Sequence, residues 1–240
     1  MPSSQVPSLR DAAARVRWEL RSVIGQRPAL CRRLIKSGEQ VSEETEIVIE
    51  GFPRTGNTFA VIAFQSAQPG TVSIAHHVHA PGPVLDAVRM RKPAIVLIRE
   101  PEETVLSFVI RLRGLTLGQG LRSYSRFYSP LLPLRARFVT ARFDDLVGDF
   151  GGVIRRVNEM FGTAFEEFQH TDANIARVQS EVDLWDRNTF GEGPRLEEGR
   201  ARPSAVRTRM KDELRAAYLS RKLSSLRARA EALYERFAND

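Results

Sequence analysis

Cysteine is almost missing from this chain: Cys31 is the single one in 240 residues. One thiol excludes an intramolecular disulfide and a multi-cysteine zinc site, and it suits a reducing compartment, so a cytoplasmic protein is expected. Apolar runs long enough to cross a bilayer are missing too, and a soluble chain without a membrane span is expected. No internal repeat and no Pro/Gly/Ser linker divides the sequence. At this length one α/β domain with a substantial core is the default. Lysine is scarce: only four of the 36 basic residues, Lys36, Lys92, Lys211 and Lys222, are lysine. Zinc-finger, helix-turn-helix and aromatic–basic RNA-binding patterns do not occur, so nucleic acid is not the expected partner.

What is abundant is arginine. The formal net charge is +7 and the isoelectric point about 10.1. Guanidinium forks suit phosphate and sulfate, although a solvated basic surface accounts for many of them.

Residues 8–24 read as an amphipathic helix with Ser8 as its cap. Leu9, Ala13, Val16, Leu20 and Val23 share a face expected to pack on the domain. Asp11 and Glu19 argue against a targeting presequence. A polar loop over 37–46 precedes a strand at Ile47–Ile49 and a helix over 56–66. A second strand is expected over 71–79, a short helix over 84–90, and a strand buried on both faces over 94–98. A helix over 102–113 follows, then a short helix with loops over 114–134 that faces the acceptor. The strand 138–143 and a helix through Val153, Val157 and Phe161 close the core. Residues 171–205 read as mostly loop, ordered by ligand, and 206–237 as helical. Strands alternating with helices predict an α/β fold with a central, mostly parallel sheet flanked by helices. The single domain divides into a helical extension (1–45), a nucleotide-binding core (46–165) and a loop with C-terminal helices (166–240).

Chemistry concentrates at Gly51-Phe52-Pro53-Arg54-Thr55-Gly56-Asn57-Thr58-Phe59. Strand, glycine loop and helix aim backbone N–H groups and a helix dipole at a phosphate. The spacing is that of a Walker A loop, except that Asn57 stands where the lysine would be. Arg54, inside the loop, is placed to reach a terminal anionic group, and Thr58 keeps a hydroxyl for a 5′-phosphate. The strand 94–98 ends in Arg99 rather than a magnesium-binding acid. Arg99 and Ser107, across a loop and a turn or two of helix, are spaced to pinch a second phosphate.

These two segments, the loop at 51–59 and Ile-Val-Leu-Ile-Arg-Glu-Pro-Glu-Glu-Thr-Val-Leu-Ser at 95–107, resemble the two signature motifs of sulfotransferases. Those enzymes use 3′-phosphoadenosine 5′-phosphosulfate (PAPS). Pro53 to Phe59 match the motif that holds the 5′-phosphosulfate. Arg99, Pro101 and Ser107 match the one that holds the 3′-phosphate, with Glu100 for the usual Asp or Asn. Arg142 to Val147 resembles a further family segment. The resemblance covers about residues 46–165.

It implies a P-loop-like sulfotransferase fold and in-line sulfuryl transfer from PAPS to a hydroxyl or amine of a small molecule or glycan, with no metal. Arg54 would stabilise the leaving oxygen; Thr55, Gly56, Asn57 and Thr58 would bind the 5′-phosphosulfate. Phe59 and Phe143 would contact adenine. Matching His-Ala-Pro to the family's His-Leu-Pro makes His79 the general base, with His77 the close alternative; strand alternation puts these two on one side and His76 on the other. A metal site built on the histidines is disfavoured because alternation leaves only two on one face. His170 has no motif around it. The family's C-terminal Arg-Lys-Gly is missing, and Arg200, Arg202 and Ser204 are its stand-ins. Two other functions fit a glycine loop: a P-loop phosphotransferase, against which Asn57 counts, and an inactive nucleotide-binding module.

Overall fold

The structure, a computed structural model, describes residues 9–112, 114–200 and 204–238. In chain order the elements are α1 (Leu9–Ile24), α2 (Pro28–Leu34), β1 (Ile47–Gly51), α3 (Asn57–Ala67), β2 (Ile74–His76), α4 (Gly82–Met90), β3 (Ala94–Ile98) and α5 (Pro101–Arg111). There follow α6 (Leu117–Tyr128), a 3-10 turn at Leu132–Arg137, β4 (Val139–Arg142), α7 (Phe143–Gly148), α8 (Phe150–Phe161), α9 (Asp172–Phe190), α10 (Pro194–Gly199), α11 (Ala205–Tyr218) and α12 (Ser224–Ala238).

The four strands form one parallel sheet in the order β2-β1-β3-β4. Strand alternation sorts the core. Ile47, Ile49, Ile95, Leu97 and Val139 point to one face, where Ala63 and Phe64 of α3 and Ile154 and Val157 of α8 cover them. Val48, Val96 and Ile98 point to the other, under Val84 of α4, Leu106 and Phe108 of α5, Tyr124 and Tyr128 of α6, and Phe237 of α12. Both faces are closed, which is why β1 and β3 read as unbroken apolar runs. The helix after β1 and the helix after β3 thus lie on opposite faces, and the chain order reverses at this pair. In open α/β sheets the crevice at such a reversal, at the carboxyl ends of the strands, is where ligands bind. The glycine loop leaves β1 there and Arg99 leaves β3.

Several expectations are corrected. The second strand is three residues long rather than nine, because the N–H groups of Val78 and His79 leave the ladder for the Glu50 carboxylate, at 2.5 and 3.1 Å. The expected loop over 171–205 holds the 19-residue α9, capped by Thr171, whose hydroxyl accepts from the Asn174 N–H. Its buried stripe is Val178, Val182 and Asp186. An aspartate in that stripe hides the helical period from a hydrophobicity reading. Most of 114–134 is likewise helix, with Thr116 and Gln119 forming a capping box at the start of α6. Helix α1 does pack on the body, but through Trp18, whose indole donates to Ser123 Oγ at 3.0 Å and whose ring lies 4.9 Å from Phe108. Val16 and Leu20, on the expected packing face, are 60% and 58% exposed. Ser8 lies outside the described residues. No helix among the described residues is long and apolar enough to cross a membrane.

Candidate active site

The loop after β1 is held by its own side chains. Thr55 Oγ1 donates to the Phe52 carbonyl at 2.8 Å, and Asn57 Nδ2 donates to the same carbonyl and to Thr55 Oγ1, each at 3.1 Å. Asn57 therefore acts inside the loop as a staple where a Walker lysine would reach outward. Gly56 is left-handed, with φ 97°, and a Cβ there would lie 2.2 Å from Leu146 Cδ2, so a side chain would be strained and Leu146 would have to shift. As the N-cap of α3 it offers no side chain to the first-turn N–H groups.

A cavity of about 200 Å³ opens against this loop. Of the candidate residues, Arg54, Gly56, Asn57, Thr58, Phe59, His77, His79, Arg99 and Phe143 line it. Thr55 and Ser107 are buried beneath it, and Arg200 contributes differently. The Arg200 side chain pairs with Glu197 at 3.3 Å, while its carbonyl accepts from Arg54 Nη2. Ser204 caps α11, accepting from the Arg207 N–H at 3.2 Å. Arg202 lies outside the described residues. His170 also lines the cavity.

The basic groups converge. Arg54 Nε donates to Ser107 Oγ at 2.8 Å and Nη1 to the Gly199 carbonyl at 3.1 Å. Arg207 Nη2 donates to the same serine oxygen at 2.6 Å, and Arg111 Nη1 to Gly199 at 3.3 Å. The Arg99 guanidinium lies 4.1 Å from the Phe143 ring centre and 3.3 Å from Glu103. Burial lowers the pKa of Arg54, and the charges of Arg207 and Arg111 lower it further; Asp186 opposes them. Arg207 falls to about 10, again chiefly by burial and then by Arg111. Arg111, Arg207 and Asp186 were not found from the sequence. One signal existed for Arg111: it stands four residues after Ser107, on the same helix face.

The histidines reach the cavity by an unexpected route. The strand stops at His76, and His77 and His79 take left-handed conformations with φ 58° and 54°. The Glu50 carboxylate holds the intervening backbone. His77 Nε2 lies 3.2 Å from Thr58 Oγ1 and its Nδ1 2.8 Å from His76 Nδ1, and its ring stacks on Trp185 with centroids 5.8 Å apart. His79 Nδ1 lies 3.1 Å from the Gly51 carbonyl. A carbonyl can only accept, so this nitrogen carries the proton and Nε2 is left as the basic atom. Burial holds both rings neutral, His79 at about 3 and His77 at about 4. Among the described residues no group of three or more His, Cys, Asp or Glu side chains is arranged to hold a metal ion.

No protein-family model and no curated protein sequence matches this chain. Among solved structures it is similar to the crystal structure of mouse sulfotransferase SULT7A1 complexed with PAP. The identity is 11% and the TM-score 0.43, over 82% of this chain and 93% of that one.

Proposed function

We propose that this protein transfers a sulfuryl group from PAPS to a hydroxyl of a small-molecule acceptor. The observation that carries the reading is the crowding of four guanidinium groups, Arg54, Arg99, Arg111 and Arg207, around a glycine loop at the sheet's reversal point. Like charges buried together are costly; Asp186 and Glu103 offset part of that cost, and a bound anion would offset more. A donor with two separated anionic groups suits two strand ends better than one. The loop and the first turn of α3 would hold the 5′ end, and Arg99, Ser107 and Arg207 the 3′-phosphate. Arg207 thereby takes the part for which Arg200 and Arg202 were candidates. Phe143, already stacked by Arg99, offers a ring to the base.

The donor supplies a sulfuryl group whose bond to a phosphate oxygen breaks as the acceptor oxygen bonds to sulfur. The chain's own work is electrostatic and acid–base. His79 Nε2 accepts the acceptor's hydroxyl proton, with the Gly51 carbonyl fixing the ring's tautomer. Arg54, permanently charged, stabilises the leaving oxygen without giving up a proton. An anion beside the ring raises the basicity of His79, opposing the burial that lowers it in the free protein.

Calorimetry with adenosine 3′,5′-bisphosphate, without magnesium, tests this. Micromolar binding that is lost in Arg99→Ala is expected. Preference for magnesium-ATP over the bisphosphate would overturn the reading in favour of a phosphotransferase.

A further inference from the structure

A second cavity, of about 1140 Å³, lies beside the first. The two share Pro53, His77, His79, Arg111 and Trp185, so the candidate base sits in their common wall. The outer wall of the larger one is the side of α1 that carries Ala13, Val16 and Leu20, and Leu34, Leu112 and Leu115 line it further on. Val16 and Leu20 are among the most exposed large apolar residues described. The charges in the lining are all of one sign: Arg17, Arg21 and Arg111 are there, and no acid is among the described lining residues. Arg21 is engaged by Ser37 Oγ at 2.8 Å and by the Val78 carbonyl.

We propose that this groove seats the acceptor, and that the acceptor is an elongated apolar alcohol, neutral or anionic, whose hydroxyl lies at His79 and whose body runs out along α1. The proposal rests on the sulfuryl-transfer reading and adds the acceptor's chemistry to it. Continuity between the cavities through His77 and His79 places the reacting hydroxyl. The mostly apolar lining disfavours a glycan, most of whose hydroxyls would lose hydrogen bonds to water without replacement. The arginines and the lack of acids disfavour a cationic amine. Helix α1, outside the nucleotide-binding core, thereby becomes the wall that selects acceptors.

The test separates the two readings by measuring donor-product and acceptor binding independently. Quenching of tryptophan fluorescence is titrated with 1-butanol, 1-hexanol, 1-octanol and 1-decanol in the presence of saturating adenosine 3′,5′-bisphosphate, whose own affinity is measured by calorimetry. Each methylene buried tightens binding by up to about fourfold, the equivalent of about 0.8 kcal/mol. Affinity is expected to climb at least about tenfold from 1-hexanol to 1-decanol. In Leu20→Glu that climb is lost while bisphosphate affinity is unchanged. Affinity independent of chain length, or a climb that survives in Leu20→Glu, overturns the proposal. So does tighter binding of maltotriose than of 1-decanol. Concentration-dependent dimerisation in sedimentation, abolished by Leu20→Glu, would assign the groove to a second copy and also overturn it. So would binding to anionic phospholipid vesicles that Leu20→Glu abolishes, which would assign the face to a membrane surface. Loss of bisphosphate binding in the wild-type chain would sink the sulfuryl-transfer reading instead.

Discussion

Arg54 Nε donates to Ser107 Oγ at 2.8 Å, and this one bond joins the segments that follow two neighbouring strands. Arg54 belongs to the loop after β1, and Ser107 to the helix after β3. The same guanidinium continues to the carbonyls of Gly199 and Arg200, so the C-terminal end of α10 is tied to the loop after β1. A group that holds three parts of the chain and carries a fixed charge is difficult to replace. Charge-assisted hydrogen bonds contribute about 1.5–3 kcal/mol each. Arg54→Ala is therefore expected to weaken bisphosphate binding at least about thirtyfold and to expose residues 191–200 to protease. Calorimetry and limited proteolysis measure the two effects. Unchanged proteolysis would show that Arg54 does not hold the end of α10 in place.

Arg207 shares the Ser107 hydroxyl with Arg54, at 2.6 Å, and is 3% exposed. Its other bonds run to the carbonyls of Ser107, Glu197 and Glu198. Arg207→Lys keeps a charge but loses the fork that reaches both sides. It is expected to bind adenosine 3′,5′-bisphosphate about tenfold more weakly, and adenosine 5′-monophosphate no more weakly than wild type does. An equal loss for both nucleotides would place Arg207 away from the 3′-phosphate.

The sheet was legible because its signals are local. Ile47–Ile49 and Ala94–Ile98 are short apolar runs that end in turn chemistry, and each is followed by a helical period. The cavity-lining residues Arg54, Asn57, Thr58 and Arg99 were legible for the same reason, since each lies within a few residues of a strand end. What escaped the sequence is long-range. Arg207 meets Ser107 a hundred residues away, and Asp186 meets the arginines only because α9 turns its third buried position toward them. The histidines fell between these cases. His77 and His79 were picked out, but by an alternation that the backbone does not follow, since Glu50 and two left-handed residues place them.

The buried histidines give the protein a pH signature. His77 and His79 stay neutral in the fold down to about 4 and about 3, while in an unfolded chain they gain protons below about 6.5. Their contribution to stability is therefore complete above about 6.5 and is lost as pH falls through the folded values. In imidazole NMR both rings are expected to stay unprotonated from pH 8 to about 5. Adding the bisphosphate raises both midpoints, because its charge favours imidazolium. In His77→Gln, the loss of stability below about 6.5 is expected to be shallower than in wild type. A normal titration of His79 near 6.5 in the free protein would contradict the buried setting.

Gly56 is needed twice, for its backbone and for the space above it. Its φ of 97° strains any side chain, and a Cβ would meet Leu146. Gly56→Ala is expected to cost about 2–5 kcal/mol in urea denaturation, combining strain with overpacking. Pairing it with Leu146→Ala should recover the overpacking part and leave the strain. Recovery of the whole loss would mean that the backbone conformation carries no cost.

The last prediction concerns the residue that separates this loop from a Walker A loop. Lysine at position 57 would restore the sequence pattern, and on sequence grounds alone Asn57→Lys should move the site toward triphosphate chemistry. The structure argues the opposite. Asn57 is 4% exposed, and its amide holds the Phe52 carbonyl and the Thr55 hydroxyl. A lysine there either buries a charge among arginines or breaks the staple to reach the cavity. The residue at the end of β3 is Arg99 rather than a magnesium-binding acid, and Glu103 beyond it is already paired with Arg99 and Lys211. Asn57→Lys is thus expected to lose about 2 kcal/mol of stability or more, to bind the bisphosphate more weakly, and to gain no affinity for magnesium-ATP. Urea denaturation and paired calorimetric titrations check all three. A gain of magnesium-ATP binding would show that the loop needs only the lysine to behave as a Walker A loop, and that Asn57 is a substitution rather than a staple.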